Sequence, residues 1–121
     1  MAAVNKYHVS PKAERTHDGI VFASKAEMRR YLELQMLERA GEISDLELQP
    51  EYVLMPPYKT KTGEKIRGIK YRADFRYLSC KTNRIIVEDV KGVQTKEYRI
   101  KKALLLWRYP NINFVEIRRD K

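Results

Sequence analysis

Apolar residues at Met28, Tyr31, Leu32, Leu34 and Leu37 recur with helical spacing directly after Ser24-Lys25-Ala26-Glu27. That tetrapeptide has the form of a capping box, with Ser at the N-cap and Glu at N3, and predicts a helix running to Ala40 with Gly41 as its stop. Glu27 lies four and seven residues before Tyr31 and Leu34, so it points to the core side. From Ile43 to Leu54 the chain alternates in its first half and carries Pro50, which suits an edge strand or a bulge. Pro56-Pro57 ends it. Ile69, Tyr71, Ala73, Phe75 and Tyr77 alternate with Lys70, Arg72, Asp74 and Arg76, the period of a strand with one apolar and one polar face. A turn through Cys80-Lys81-Thr82-Asn83 leads into a second strand, Arg84 to Lys91, closed by Gly92. A second helix is predicted from Thr95 to Tyr109, with Ile100, Ala103, Leu104 and Trp107 as its buried stripe and Pro110 as terminator. The last element, Ile112 to Ile117, reads as a short strand before a charged tail. The order is α-β-β-β-α-β, an α/β fold in one domain, preceded by an irregular basic arm over residues 1–20.

Composition narrows the partner. The chain has 121 residues, enough for one core, and its 25 Lys and Arg against 16 Asp and Glu leave a net charge of +9. That excess fits either a polyanionic partner or a protein kept soluble by charge. Clustering favours the first: Lys59, Lys61, Lys65 and Arg67 surround Thr62-Gly63 in what reads as a basic turn or loop, against the single acid Glu64. No apolar run approaches the roughly 20 residues that cross a bilayer. The N-terminus lacks the apolar stretch of a secretory signal, and the lone Cys80 cannot form an intramolecular disulfide, so a reducing, cytoplasmic compartment is expected. His8 and His17 lack metal-ligand spacing.

The residues that carry chemistry lie on the predicted hairpin. Asp74 and Asp89 are equally displaced from a turn centre between Lys81 and Thr82, so a symmetric register makes them cross-strand neighbours. Two carboxylates facing each other repel, and their placement asks for a cation between them. Lys91 projects from the same face as Asp89 because side-chain direction repeats every second residue. Lysine alone could neutralise one acid, but Mg²⁺ fits the oxygen donors better and can take its remaining ligands from a substrate phosphate. Each residue also has a plainer explanation: Glu27 as a capping-box partner, Asp74 in a solvated face with Arg72 and Arg76, and Asp89 with Lys91 as a surface ion pair. Glu88 faces the Phe75 and Ile86 side, where a carboxylate requires a basic partner or an edge position.

Asp74 followed by Asp89-Val90-Lys91 resembles the D…(D/E)-X-K core of the PD-(D/E)XK nuclease superfamily, and the element order is similar to that family's αβββαβ core, a restriction-endonuclease-like central mixed sheet flanked by helices. The segments Phe22-Ala23-Ser24-Lys25-Ala26-Glu27, Leu48-Gln49-Pro50, Ala73-Asp74-Phe75 and Val87-Glu88-Asp89-Val90-Lys91-Gly92 resemble small bacteriophage-type members and, more remotely, the endonuclease subunit of Tn7-like transposons. The resemblance covers roughly residues 20 to 117, within a nuclease domain of residues 21–121. The Pro usual before the first Asp is Ala73 here.

What the resemblance implies is phosphodiester hydrolysis by an activated water. Asp74, Asp89, Glu27 and the Val90 carbonyl would hold Mg²⁺, with Mn²⁺ able to substitute, and Lys91 would orient or deprotonate the water or offset charge in the transition state. Gln49 and Glu88 are auxiliary candidates. The substrate expected is DNA, contacted by Lys59, Lys61, Lys65, Arg67, Arg72, Arg76, Lys96, Arg99, Lys101 and Lys102, which give affinity but little sequence preference. With no module left to read bases, selection by structure is expected, as in branched, flap or Holliday-junction DNA during phage replication or recombination. A junction-resolving role would imply a homodimer and, for a phage-encoded chain, the bacterial host cytoplasm. The competing class is a DNA-binding module without catalysis, or a nuclease subunit active only in a larger complex.

Overall fold

A computed structural model describes residues 10–91 and 94–118. Residues 1–9, which include Lys6 and His8, the strand-closing Gly92 with Val93, and residues 119–121 of the charged tail lie outside the described part. The chain is a small single-domain α/β protein with two helices and a mixed sheet. A short 3₁₀ turn, Lys12–Arg15, leads into a two-strand ribbon of β1 (Thr16–His17) and β2 (Ile20–Val21). This stretch was expected to be irregular. It is ordered by Arg15, whose guanidinium donates to the carbonyls of Ser10 (2.9 Å) and Phe22 (2.6 Å), and by Ile20 packing against the core.

Helix α1 (Lys25–Arg39) starts where the capping box predicts, with Ser24 Oγ accepting from the Glu27 N–H at 3.0 Å. Gly41 then turns the chain at φ +78°, a conformation that glycine adopts without a Cβ penalty. The expected strand from Ile43 to Leu54 is two strands, β3 (Ile43–Leu48) and β4 (Glu51–Met55), and the expected strand from Ile69 to Tyr77 is likewise β7 (Ile69–Arg72) and β8 (Phe75–Ser79). The two breaks face each other. Gln49 N–H donates to the Asp74 carbonyl (2.9 Å) and Ala73 N–H to the Pro50 carbonyl (3.1 Å), so one ribbon continues through a bend. Pro50 has no N–H to give the ladder, and Gln49 sits in the left-handed region at φ +51°, so the bend is written into Leu48-Gln49-Pro50. Beyond it the ribbon forms an arm. The segment expected as a basic loop contains β5 (Tyr58–Lys59) and β6 (Lys65–Ile66), closed by Thr60, whose carbonyl accepts from Gly63 N–H and whose Oγ1 accepts from Glu64 N–H.

Strand β9 (Arg84–Lys91) pairs antiparallel with β8 in the predicted register, Phe75 opposite Glu88 and Ser79 opposite Arg84. Helix α2 (Lys96–Arg108) then crosses over to β10 (Asn113–Arg118), which runs parallel to β9. The main sheet has the order β10-β9-β8-β3. Counting its strands and the two helices, the order is α-β-β-β-α-β, as expected.

The core is split by the sheet. On one face Phe75 and Tyr77 meet Phe22, Leu34 and Ile43, with Met28, Tyr31 and Leu37 of α1. On the other, Val87 meets Leu54, Tyr71, Ala73, and Tyr98 and Leu105 of α2. Ala73 and Phe75, expected on one face, therefore belong to different layers, because the bend at Asp74 rotates the chain between them. The stripe expected to be buried on α2 also needs correction. Tyr98 and Leu105 face the sheet, while Ile100 and Trp107 are 62% and 74% exposed and Ala103 is exposed as well. An apolar run offers several helical stripes, and Tyr98, apolar in its ring and polar only at its tip, fixes this one.

Gly68 leaves no room for a side chain in the arm, since a Cβ there would meet the Met55 carbonyl oxygen at 2.8 Å and the Pro57 ring at 2.9 Å. Gly68→Ala is expected to cost about 1–3 kcal/mol of stability through this overpacking, read as a lower urea midpoint with an unchanged slope.

Candidate active site

Three acidic side chains converge where the ribbon bends. Asp89 is 1% exposed on β9, Glu27 is 5% exposed on the first turn of α1, and Asp74 is half-buried at the break between β7 and β8. Asp74 lies within hydrogen-bonding reach of both Asp89 and Glu27. The sequence made Asp74 and Asp89 direct ladder partners. In the structure the ladder ends at Phe75 opposite Glu88, and Asp74 N–H donates instead to the Glu88 carbonyl at 3.0 Å. The Asp74 carboxylate takes up the role the ladder gives up, its Oδ2 accepting from Val90 N–H at 2.6 Å. The bend is also what lets Glu27, from the α1 layer, reach an acid that sits beside the α2 layer.

Asp89 Oδ2 accepts from the Tyr71 hydroxyl and lies 3.1 Å from Lys91 Nζ. The ammonium of Lys91 also rests over the Tyr98 ring, 4.1 Å from its centroid. Burial is the main reason that the Asp74 carboxyl is pushed up to about 9, with Asp89 and Glu27 adding to it. Burial likewise raises Glu27, against the pull of its hydrogen bonds and of Lys91. The Tyr71 hydroxyl is raised by burial and by the Asp89 charge beside it, so it stays a donor.

Such a cluster is unfavourable as three bare anions and is relieved either by protons or by a cation. Among the described residues no three acidic, histidine or cysteine side chains already surround a point where an ion would sit. Yet Asp74 and Asp89 each keep an oxygen that Val90, Tyr71 and Lys91 do not use. With Glu27 these form a hard, all-oxygen donor set, which fits Mg²⁺ or Mn²⁺. Val90, expected to offer its carbonyl, meets the cluster through its N–H.

The two auxiliary candidates fall outside the cluster. Glu88 is 1% exposed on the α1 face, where Arg30 Nε and Nη2 donate to its two oxygens at 2.8 and 2.6 Å and Tyr77 adds its hydroxyl. This is the basic partner its position requires. The sequence reading missed Arg30, although its place one turn after Glu27 on α1 was a usable signal. Gln49 has an exposed side chain and serves Asp74 through its backbone N–H alone.

The basic residues divide. Arg72 pairs with Glu51 (2.6 Å), Arg76 with Glu47 and the Tyr52 ring, Lys101 with Glu97 (3.2 Å) and Lys102 with Glu116 (2.8 Å). Two of these partners, Glu51 and Glu47, stand directly opposite their arginines in the strand register, so Arg72 and Arg76 are balanced within the ribbon. Lys59, Lys61, Lys65 and Arg67 on the arm, and Lys96 and Arg99 on α2, are exposed. Between arm and helix an open cleft of about 460 Å³ is lined by Lys70, Tyr71, Arg72, Lys91, Tyr98 and Lys101, together with Glu51, Thr95 and Glu97, and its wall at Tyr71 and Lys91 is shared with Asp89. Cys80 is exposed in its turn, His17 lies against Asp18 at 3.2 Å, and no described helix is long and apolar enough to cross a membrane.

A family model described as "Protein of unknown function (DUF1064)" matches residues 5–121, and the chain belongs to that family. No curated protein matches it.

Two measurements probe this arrangement. Arg30→Ala leaves the Glu88 carboxylate buried without its cation and is expected to cost about 3–5 kcal/mol in denaturant unfolding, whereas the Arg30→Met, Glu88→Gln double variant should lose clearly less. For Asp74 the folded pKa stands above the unfolded one, so its contribution is fully present below pH 3.8 and is lost as pH rises toward about 9. In EDTA the melting temperature of wild type should therefore fall relative to Asp74→Asn across that window.

Proposed function

We propose that this protein is a Mg²⁺-dependent endonuclease that hydrolyses phosphodiester bonds in DNA, with Mn²⁺ able to replace Mg²⁺. The observation that carries this is the meeting of Glu27, Asp74 and Asp89, two of them almost fully buried, beside the ammonium of Lys91. Gathering three acids in one place costs stability unless protons or a cation relieve it, and a metal site is a function that would use the arrangement.

Glu27, Asp74 and Asp89 would hold the ion. When bound, it would supply Lewis-acid polarisation of the phosphoryl oxygens and offset charge on the attacking and leaving oxygens. Tyr71 fixes the orientation of Asp89 through its hydroxyl, and Val90 N–H fixes that of Asp74. Lys91, with three N–H donors, faces the cleft and is available to orient the attacking water or to stabilise charge on the phosphate. In the reaction the water oxygen bonds to phosphorus and gives up a proton to solvent, the ester P–O bond breaks, and the leaving sugar oxygen takes up a proton from solvent.

The DNA would run along the cleft and the exposed cations of the arm, Lys59, Lys61, Lys65 and Arg67, with Lys96 and Arg99 across it. These contacts address phosphates, which supports selection of branched, flap or junction structures over a base sequence. Paired cuts on a junction would call for two copies of the chain. A binding module without catalysis would use the same basic surface but leaves the acid cluster without a purpose.

Cleavage of linear, flap and four-way-junction DNA by wild type and Asp89→Asn, in Mg²⁺ and in EDTA, tests the proposal. Wild type should cut in Mg²⁺ alone, and Asp89→Asn should lose at least roughly 100-fold while still binding DNA. Cutting in EDTA, or an undiminished variant, would sink the mechanism.

A further inference from the structure

Lys91 is held from two sides. One is Asp89, at 3.1 Å, and the other is the face of Tyr98, at 4.1 Å. If Asp89 serves a metal ion, its charge is shared with that ion and its attraction for the ammonium weakens, so a lysine held by Asp89 alone would drift just when it is needed. The ring is unaffected by what Asp89 binds. Its face also attracts the ammonium without taking a lone-pair hydrogen bond from it, which leaves N–H groups for water or phosphate.

Tyr98 is itself anchored with unusual care for a residue that touches no acid of the cluster. It is 6% exposed on the first turn of α2, where its own N–H donates to Thr95 Oγ1 at 3.1 Å. Its ring packs near Tyr71, the donor to Asp89, with centroids 6.3 Å apart. Its hydroxyl donates to Glu116, in the parallel strand position beside Asp89. Glu116 is a hub: it also receives Gln94 Nε2 (3.1 Å) and Lys102 Nζ (2.8 Å), with Arg118 at 3.8 Å. Thus the Tyr98 ring links α2, through Glu116, to the strand position beside Asp89.

We propose that Tyr98 is a positioning residue for Lys91: its ring face holds the ammonium in the cleft. The proposal rests on the nuclease reading only for the consequence in catalysis; the placement of Lys91 is independent of it.

The test compares wild type with Tyr98→Phe, Tyr98→Leu and a variant carrying pentafluorophenylalanine at position 98, which keeps the ring's shape but reverses the charge distribution of its face. The first readout is the NMR shift of the Lys91 ε-methylene in each folded protein. Wild type and Tyr98→Phe should show the upfield displacement of a group above an aromatic ring. The leucine and fluorinated variants should lose it, the latter by departure of the lysine from the ring. The second readout is cleavage in Mg²⁺. Tyr98→Phe should stay within about threefold of wild type, while the leucine and fluorinated variants lose roughly 10- to 100-fold in kcat, with KM and the Mg²⁺ midpoint little changed. An unshifted Lys91 resonance in wild type, or a fluorinated variant equal to Tyr98→Phe in both readouts, would overturn the proposal. Should Tyr98→Leu not fold, the comparison of the two ring variants decides alone. A wild type that never cuts DNA would end the nuclease reading while the resonance still settles the position of Lys91.

Discussion

The ion pair between Arg30 and Glu88 is the contact on which the arrangement of this molecule turns. A carboxylate as buried as Glu88 has to find a cation, and the α1 layer offers Arg30 at the place where both oxygens can be satisfied at once. That requirement fixes how α1 is rotated and how far it slides over β9. Glu27 lies one turn earlier on the same helix, and Asp89 is the next residue along the strand. Setting Arg30 on Glu88 therefore sets Glu27 near Asp74 and Asp89, and a structural ion pair establishes the distance between the acids.

The second constraint is the bend. In an unbroken strand, Asp74 would stay on one side of the sheet and Glu27 on the other, and no cluster would form. By breaking β7 from β8 opposite the break of β3 from β4, the chain gives Asp74 access to both layers while its backbone remains bonded on either side, to Gln49 and to Glu88. Pro50 and the left-handed Gln49 account for the break at small cost because both lie at the edge of the main sheet.

How much of this was legible in the sequence follows from the kind of signal each feature leaves. Local chemistry read well: Ser24 as a cap, the turn at residues 80–83 and the register from Phe75 to Ser79 all depend on near neighbours, as does the place of Asp74 beside Asp89. The helix-borne Glu27 read well for a second reason, since capping and cluster membership ask for the same position. What did not read were consequences of three-dimensional placement. Strict alternation through residues 69–77 conceals a change of face, because a twist alters where side chains go without altering their period. The stripe of α2 was misplaced because Tyr98 looked polar while Ile100 and Trp107 looked buried. The partners of Arg72 and Arg76 come from strands some twenty residues away or more, and pairing across such distances leaves no mark in a charge count.

The arm deserves to be seen as a separable quantity in this design. It joins the rest through two strands, its tip is closed by Thr60 with bonds of its own, and its root is the ladder that ends with Glu51 opposite Arg72, two residues before Asp74. Residues gained or lost in matched pairs between Met55 and Ile69 would lengthen or shorten it without changing which side chains meet at the root. The reach of the arm and the acid cluster at its root are thus independent variables of the fold: one is set by the number of rungs in a ribbon, the other by a bend that the ribbon's length never enters.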